Sequence, residues 1–87
     1  MNIEFQAINY VADQKLIDYA QKRVEKLAHF FDPIITTQLF TKVEKNDDRL
    51  NKFVELKLVV PGENMIVKKT AKSFEAAISA AVEAAKR

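Results

Sequence analysis

The strongest chemical pattern in the sequence is a set of five side chains near its start: Lys15, Tyr19, Lys22, Arg23 and Lys26. On a helix, at about 100° per residue, Lys15, Lys22 and Lys26 fall within roughly 40° of one another. Tyr19 lies in the same stripe, and Arg23 sits at its shoulder on the side nearer the apolar face. Asp18 and Glu25 fall on the other flank, so the two signs are segregated. Such a stripe could bind a polyanion through phosphate contacts that weaken steeply with salt. The tyrosine could stack on a base or ribose. A second basic group comes late in the chain, with Lys68, Lys69 and Lys72, then Lys86 and Arg87. The plainer reading of the same residues is a solvated helix face. In it, Asp18 and Lys22 form an ordinary i,i+4 pair, and Lys86 and Arg87 complement a helix C-terminus.

Other chemistry is scarce. There is no cysteine, which removes disulfides, thiolate metal sites and a cysteine nucleophile. His29 is the only histidine, so one chain cannot build a two-histidine metal site, and helical spacing turns it away from the apolar face. Gly62 is the only glycine, which excludes a glycine-rich phosphate loop. Thr36, Thr37 and Thr41 have no histidine near them in sequence and suit a strand. Asp47 and Asp48 sit between Lys45 and Arg49 and read as solvated turn residues. No catalytic residue, metal, cofactor or small-molecule substrate is expected.

The elements that must carry the stripe follow from periodicity. At 87 residues, with 48% hydrophobic and 30% charged residues, the chain has room for one ordinary globular domain. A net charge of +2 says little about partners by itself, so the placement of the charges has to decide. No apolar run approaches the roughly 18 residues of a membrane span. The start of the chain, MNIEFQAINY, lacks the basic opening of a signal peptide, and a cytoplasmic protein is expected.

Residues 3–8 alternate as a strand, with Ile3, Phe5 and Ala7 on one face. Asp13 caps a helix over 13–31, whose apolar face is Leu16, Ala20, Val24, Leu27 and Phe31 and which stops at Asp32-Pro33. A second strand covers 34–44, with Thr37, Leu39, Thr41 and Val43 on one face. After the charged loop 45–52, a third strand carries Val54, Leu56 and Leu58 inward and ends at Pro61-Gly62. A fourth runs from about 65 to 71, where Lys69 falls on the inward parity and calls for snorkelling or a bulge. Ser73 caps a last helix with the face Phe74, Ala77, Ile78, Ala81, Val82 and Ala85. The order β-α-β-β-β-α gives an α+β two-layer sandwich, a four-stranded sheet with two helices on one face, like a double-stranded-RNA-binding domain.

In this arrangement residues 13–34, DQKLIDYAQKRVEKLAHFFDPI, resemble the first helix of the ribosome hibernation promoting factors, also called ribosome-associated inhibitors or sigma-54 modulation proteins. The shared features are the K/R-x-x-K-L pattern at Lys22-Arg23-Val24-Glu25-Lys26-Leu27 and the close Phe30-Phe31-Asp32. Lys42-Val43-Glu44-Lys45 is similar to the end of the family's second strand, and FEAAI at 74–78 to the start of its last helix. The resemblance implies a non-enzymatic factor in the small-subunit cleft between head and body, in the space of tRNA and messenger RNA. It points to Lys22, Arg23 and Lys26 as rRNA phosphate contacts, with Lys42, Lys45, Lys68 and Lys69 as secondary ones. Ser73 stands where the family usually has an aspartate, an equivalent cap. The family's last helix continues into a lysine-rich segment, whereas this sequence stops at Lys86-Arg87. That implies either truncation or a weaker or different ribosome contact, and any pairing of ribosomes would need another factor.

A second reading starts from Phe40 and Phe53, which share parity on the outward sheet face with Ile66 adjoining. An apolar patch on an open sheet face would make the domain an interaction module, a monomer or weak homodimer.

Overall fold

The computed structural model describes residues 2–28, 36–44 and 50–86. Its elements are β1 (Asn2–Ile8), α1 (Gln14–Ala28), β2 (Thr36–Val43), β3 (Lys52–Val60), β4 (Glu63–Ala71) and α2 (Phe74–Ala85), the order expected from periodicity. The expected helix end at Asp32-Pro33, His29, the Asp47-Asp48 turn, Lys45 and Arg87 lie outside the described residues. The strands form one sheet in the order β1-β2-β3-β4. β1 and β2 are parallel, joined through α1, and the other two pairings are antiparallel.

Strand alternation sorts the two sheet faces. Leu39 on β2 and Val54, Leu56 and Leu58 on β3 are buried together with Leu16, Ala20, Val24 and Leu27 of α1. The six expected apolar residues of α2 complete this single core. α2 lies over β3 and β4, and α1 packs beside it towards β1. Fully burying a leucine or isoleucine contributes about 1.5–3 kcal/mol, so these residues fix the rotation of both helices. The alanines of α2 let its backbone approach the sheet closely.

The helix starts are set by capping. Asp13 Oδ1 accepts from the Leu16 backbone N–H at 2.8 Å, and Ser73 Oγ accepts from Ala76 N–H at 3.1 Å. β4 begins at Glu63, two residues before the expected start, because Pro61-Gly62 forms a two-residue turn closed by the Val60–Glu63 pair. Proline fixes φ near −65° and Gly62 takes φ +90°, the combination of a type II turn. No bulge interrupts β4. Lys69 stays in register opposite buried Val54 and is exposed at the sheet edge.

Two threonines are buried on the core side, Thr37 and Thr41. The Thr41 hydroxyl donates to the Gln6 carbonyl at 2.6 Å, so the Tyr10 hydroxyl must donate to Thr41 Oγ1 at 2.5 Å. The Tyr10 ring stacks on Phe74 with centroids 4.4 Å apart. Just before it, Asn9 takes φ +67° and donates its side-chain amide to the Val43 carbonyl. This corner ties the end of β1 to β2 and to the start of α2. No local sequence pattern announces this corner, because neither parity nor helical period covers residues 9–12.

Burial raises the pKa of the Tyr10 hydroxyl above its ordinary 10.0; the Thr41 hydroxyl, which can turn to donate to the phenolate once Tyr10 ionises, acts against the rise, and the Asp13 carboxylate adds to it. The folded state therefore holds this proton more tightly than the unfolded chain. The resulting stability is complete below pH 10.0 and is lost as pH climbs through the folded value. Tyr10→Phe is expected to cost about 1 kcal/mol at neutral pH and to flatten the alkaline decline seen in denaturant unfolding. Superimposable alkaline limbs for the two proteins would contradict this. Asp13→Ala and Ser73→Ala should each cost about 1 kcal/mol, read as a Tm drop of about 4–8 °C.

Candidate nucleic-acid interface

With its apolar face buried, α1 presents Lys15, Lys22 and Lys26 to solvent, all three exposed. None of the three has a hydrogen-bond or ion-pair partner among the described residues. The expected Asp18–Lys22 pair is not formed. Gln14 Nε2 instead donates to Asp18 Oδ1 at 3.0 Å, which draws the carboxylate towards the helix start. The stripe is therefore three ammonium groups along one helix flank with no carboxylate of the described residues paired to them.

The other two members of the pattern are placed differently. Arg23 is half-buried, and its guanidinium donates from Nη2 to Ser79 Oγ of α2 at 3.1 Å. Its Nε is buried with no partner among the described residues. The shoulder position read from the sequence thus faces α2, and Arg23 bridges the helices. Tyr19 is also half-buried and packs on the core, so only part of its ring is open for stacking.

The late cations do not extend the stripe. Lys42, half-buried, and Lys68 project from the outer sheet face, the side opposite the helices, where Lys68 Nζ lies 3.8 Å from Glu55 across the β3–β4 pair. Lys69 and Lys72 are exposed on and just after β4, on the far side of α2 from α1. Lys86 Nζ forms an ion pair with Glu83 at 3.0 Å. The cations thus occupy separate places on a domain measuring 39 × 24 × 17 Å, with lysines on both broad sides.

The outer sheet face also carries the aromatic pair. Phe40 and Phe53 meet edge to face, with centroids 6.4 Å apart and an angle of 73° between rings. Ile66 does not adjoin them. It stands opposite Lys57, and the Glu55–Lys68 row separates it from Phe53. The apolar neighbour in the Phe53 row is Ile8, with Lys42 between them. A shallow hollow beside Phe40 is lined by Glu4, Gln6, Gln38, Glu55 and Lys57, a mixed polar surface. Among the described residues no group of histidine, cysteine, aspartate or glutamate could hold a metal ion, and no helix is long and apolar enough to cross a membrane.

Comparison with known proteins agrees with this geometry. The family model described as sigma 54 modulation protein / S30EA ribosomal protein matches residues 3–87. Among solved structures, the crystal structure of the Thermus thermophilus Protein Y N-terminal domain superposes with a TM-score of 0.82 at 21% identity, covering 99% of this chain and 92% of that one. A ribosomal subunit interface protein from Coxiella burnetii superposes with a TM-score of 0.86 at 13% identity, covering 99% and 90%. No curated protein sequence matches. At such identities the superpositions establish the fold, and the family match over nearly the whole sequence establishes descent. The chain belongs to the sigma 54 modulation / S30EA ribosomal protein family, the ribosome-associated hibernation factors, whose members are binding proteins and not enzymes.

Proposed function

We propose that the protein binds the small ribosomal subunit in the cleft between head and body, where it occupies the space of tRNA and messenger RNA and blocks translation sterically. The observation that carries this reading is the α1 flank of Lys15, Lys22 and Lys26, exposed and without a carboxylate partner among the described residues. Phosphate oxygens are the natural counter-charges for three such groups, and contacts of this kind position a protein without reading sequence. Part of the Tyr19 ring remains open at the same flank for a base or ribose.

The placement of the other cations favours a cleft over a flat duplex surface. Lys42 and Lys68 face away from α1, so no single plane of phosphates can meet both groups. A thin domain with lysines on both broad sides can meet RNA on two walls of a channel. In that arrangement Lys15, Lys22 and Lys26 carry most of the electrostatic attachment, and Lys42, Lys68, Lys69 and Lys72 add contacts from the sheet side and the β4 end. Lys45 and Arg87 belong to the same proposal by sequence alone. Lys86 contributes less, because Glu83 already holds it. Arg23 acts mainly as the brace that sets α1 against α2.

The test is co-sedimentation with purified small subunits across a salt series. Wild type is expected to bind at low salt and to be released as salt rises. Lys22→Gln and Lys26→Gln should each lower the slope of log K against log salt by about 0.7–0.9. Arg23→Gln should change that slope less than either, while lowering the unfolding midpoint. Lys22→Glu with Lys26→Glu should abolish binding with the circular dichroism spectrum unchanged. Undiminished sedimentation of this double variant would refute the phosphate reading.

A further inference from the structure

β4 ends the sheet, and its side chains there are mostly exposed: Asn64, Ile66, Lys68, Lys69 and Thr70, with Ile66 at 55%. In a hairpin with a two-residue turn, the closing pair Val60–Glu63 exchanges both backbone bonds, and bonded pairs then alternate. Asn64, Ile66, Lys68 and Thr70 accordingly turn their N–H and C=O groups away from β3, towards the open edge. A nine-residue strand with such an edge is a template for another strand.

The sequence of β4 is complementary to itself in one register. Consider two copies paired antiparallel about a two-fold axis perpendicular to the sheet and passing between their Ile66 residues. Ile66 then meets Ile66 on the outer face, and Asn64 meets Lys68 beside it. On the helix side Met65 meets Val67 twice, which continues the half-buried apolar row of each copy into the other. At both ends Glu63 lies opposite Lys69, an acid against the inward-parity lysine that has no partner within its own sheet. Opposite charges facing across an antiparallel pair stabilise it, and like charges destabilise it. Neighbouring registers lose these matches. Centring on Val67 sets Met65 against Lys69 and Ile66 against Lys68, and centring on Met65 sets Glu63 against Val67. The other edge strand, β1, has Glu4 as its only ionisable side chain and offers no such charge pairing.

We propose that β4 is a self-association edge: two copies of this chain join through it in the Ile66-centred antiparallel register to form one continuous eight-stranded sheet. The occupant is a second copy because acid meets base and apolar meets apolar in the same alignment. This proposal does not rest on the ribosome reading, and its test uses the free protein.

Sedimentation equilibrium from micromolar to millimolar concentration is expected to show a reversible monomer–dimer equilibrium. Glu63→Lys, which sets lysine against Lys69 at both ends, should weaken the dimer by about tenfold or more, and Lys69→Glu should do the same. Combining the two swaps the charges and should restore dimerisation to within a few-fold of wild type. Ile66→Pro removes an edge-facing N–H and should give a monomer. If that variant fails to fold, the charge swap decides alone. Phe40→Ser with Phe53→Ser should leave the dimer intact. A wild type that stays monomeric at millimolar concentration overturns the proposal. So does a dimer that survives Glu63→Lys, or one lost only when the two phenylalanines are replaced.

Discussion

Burial of Leu16, Ala20, Val24 and Leu27 against α2 and the sheet is the constraint on which the rest depends. Each large side chain in that set is worth about 1.5–3 kcal/mol, whereas repulsion between like charges one turn apart on a helix costs only about 0.2–0.5 kcal/mol. The apolar face therefore decides the rotation of α1, and the lysines go where that rotation sends them. Lys22 and Lys26 are like charges one turn apart on the same flank, an arrangement that their mutual repulsion alone would not favour. Arg23 shows the same hierarchy from the other side. Turned towards α2 by the packing, its guanidinium is taken up by Ser79, so its charge braces the helices more than it extends the stripe.

The remaining lysines show why the domain's shape matters as much as its net charge of +2. A sheet covered by helices on one side has two unlike surfaces. Here the helix side offers cations on α1 that are unpaired among the described residues, and the sheet side offers Lys42 and Lys68 among Glu55, Phe40 and Phe53. The sheet side is electrostatically mixed, and Lys68 is already engaged at 3.8 Å by Glu55. Under the proposed function, attachment to a polyanion is therefore strongly asymmetric, with α1 dominant, even though cations occur on both broad faces.

Sequence periodicity is sufficient for the element order, both caps and the described core, because each rests on local rules: a period of two or 3.6, and a carboxylate or hydroxyl before a helix. It fails where several partners compete for one group or a second element intervenes. Spacing pairs Asp18 with Lys22, but Gln14 is as near along the helix and takes the carboxylate. Ile66 was placed beside Phe53 by parity, yet parity gives the face and not the row; the row is set by the tight turn at Pro61-Gly62, which also starts β4 at Glu63. Lys86 read as a dipole partner, and Glu83 three residues before it captures the ammonium group. The Tyr10–Thr41–Phe74 corner joins residues more than thirty positions apart and leaves no local pattern. Of the candidate interface, α1 was legible because a single helix contains it. The late basic group was not, since its members belong to different faces.

Lys69 is where these considerations meet. It has the inward parity of β4, opposite Val54, yet it is exposed because the sheet ends there. Lysines on an edge strand usually discourage a second strand from adding to it, and with no acid in reach of the pairing register that would be the whole account. Glu63, six residues earlier on the same strand, changes the sign of the effect for one partner only, a copy carrying the same acid at the same distance from the centre. The edge is thereby unfavourable to strands that lack an acid there and favourable to itself. A lysine held by Glu63 of a second copy cannot at the same time neutralise a phosphate, so edge pairing and the proposed RNA contact at the β4 end compete for Lys69, while Lys15, Lys22 and Lys26 on α1 take no part in the pairing.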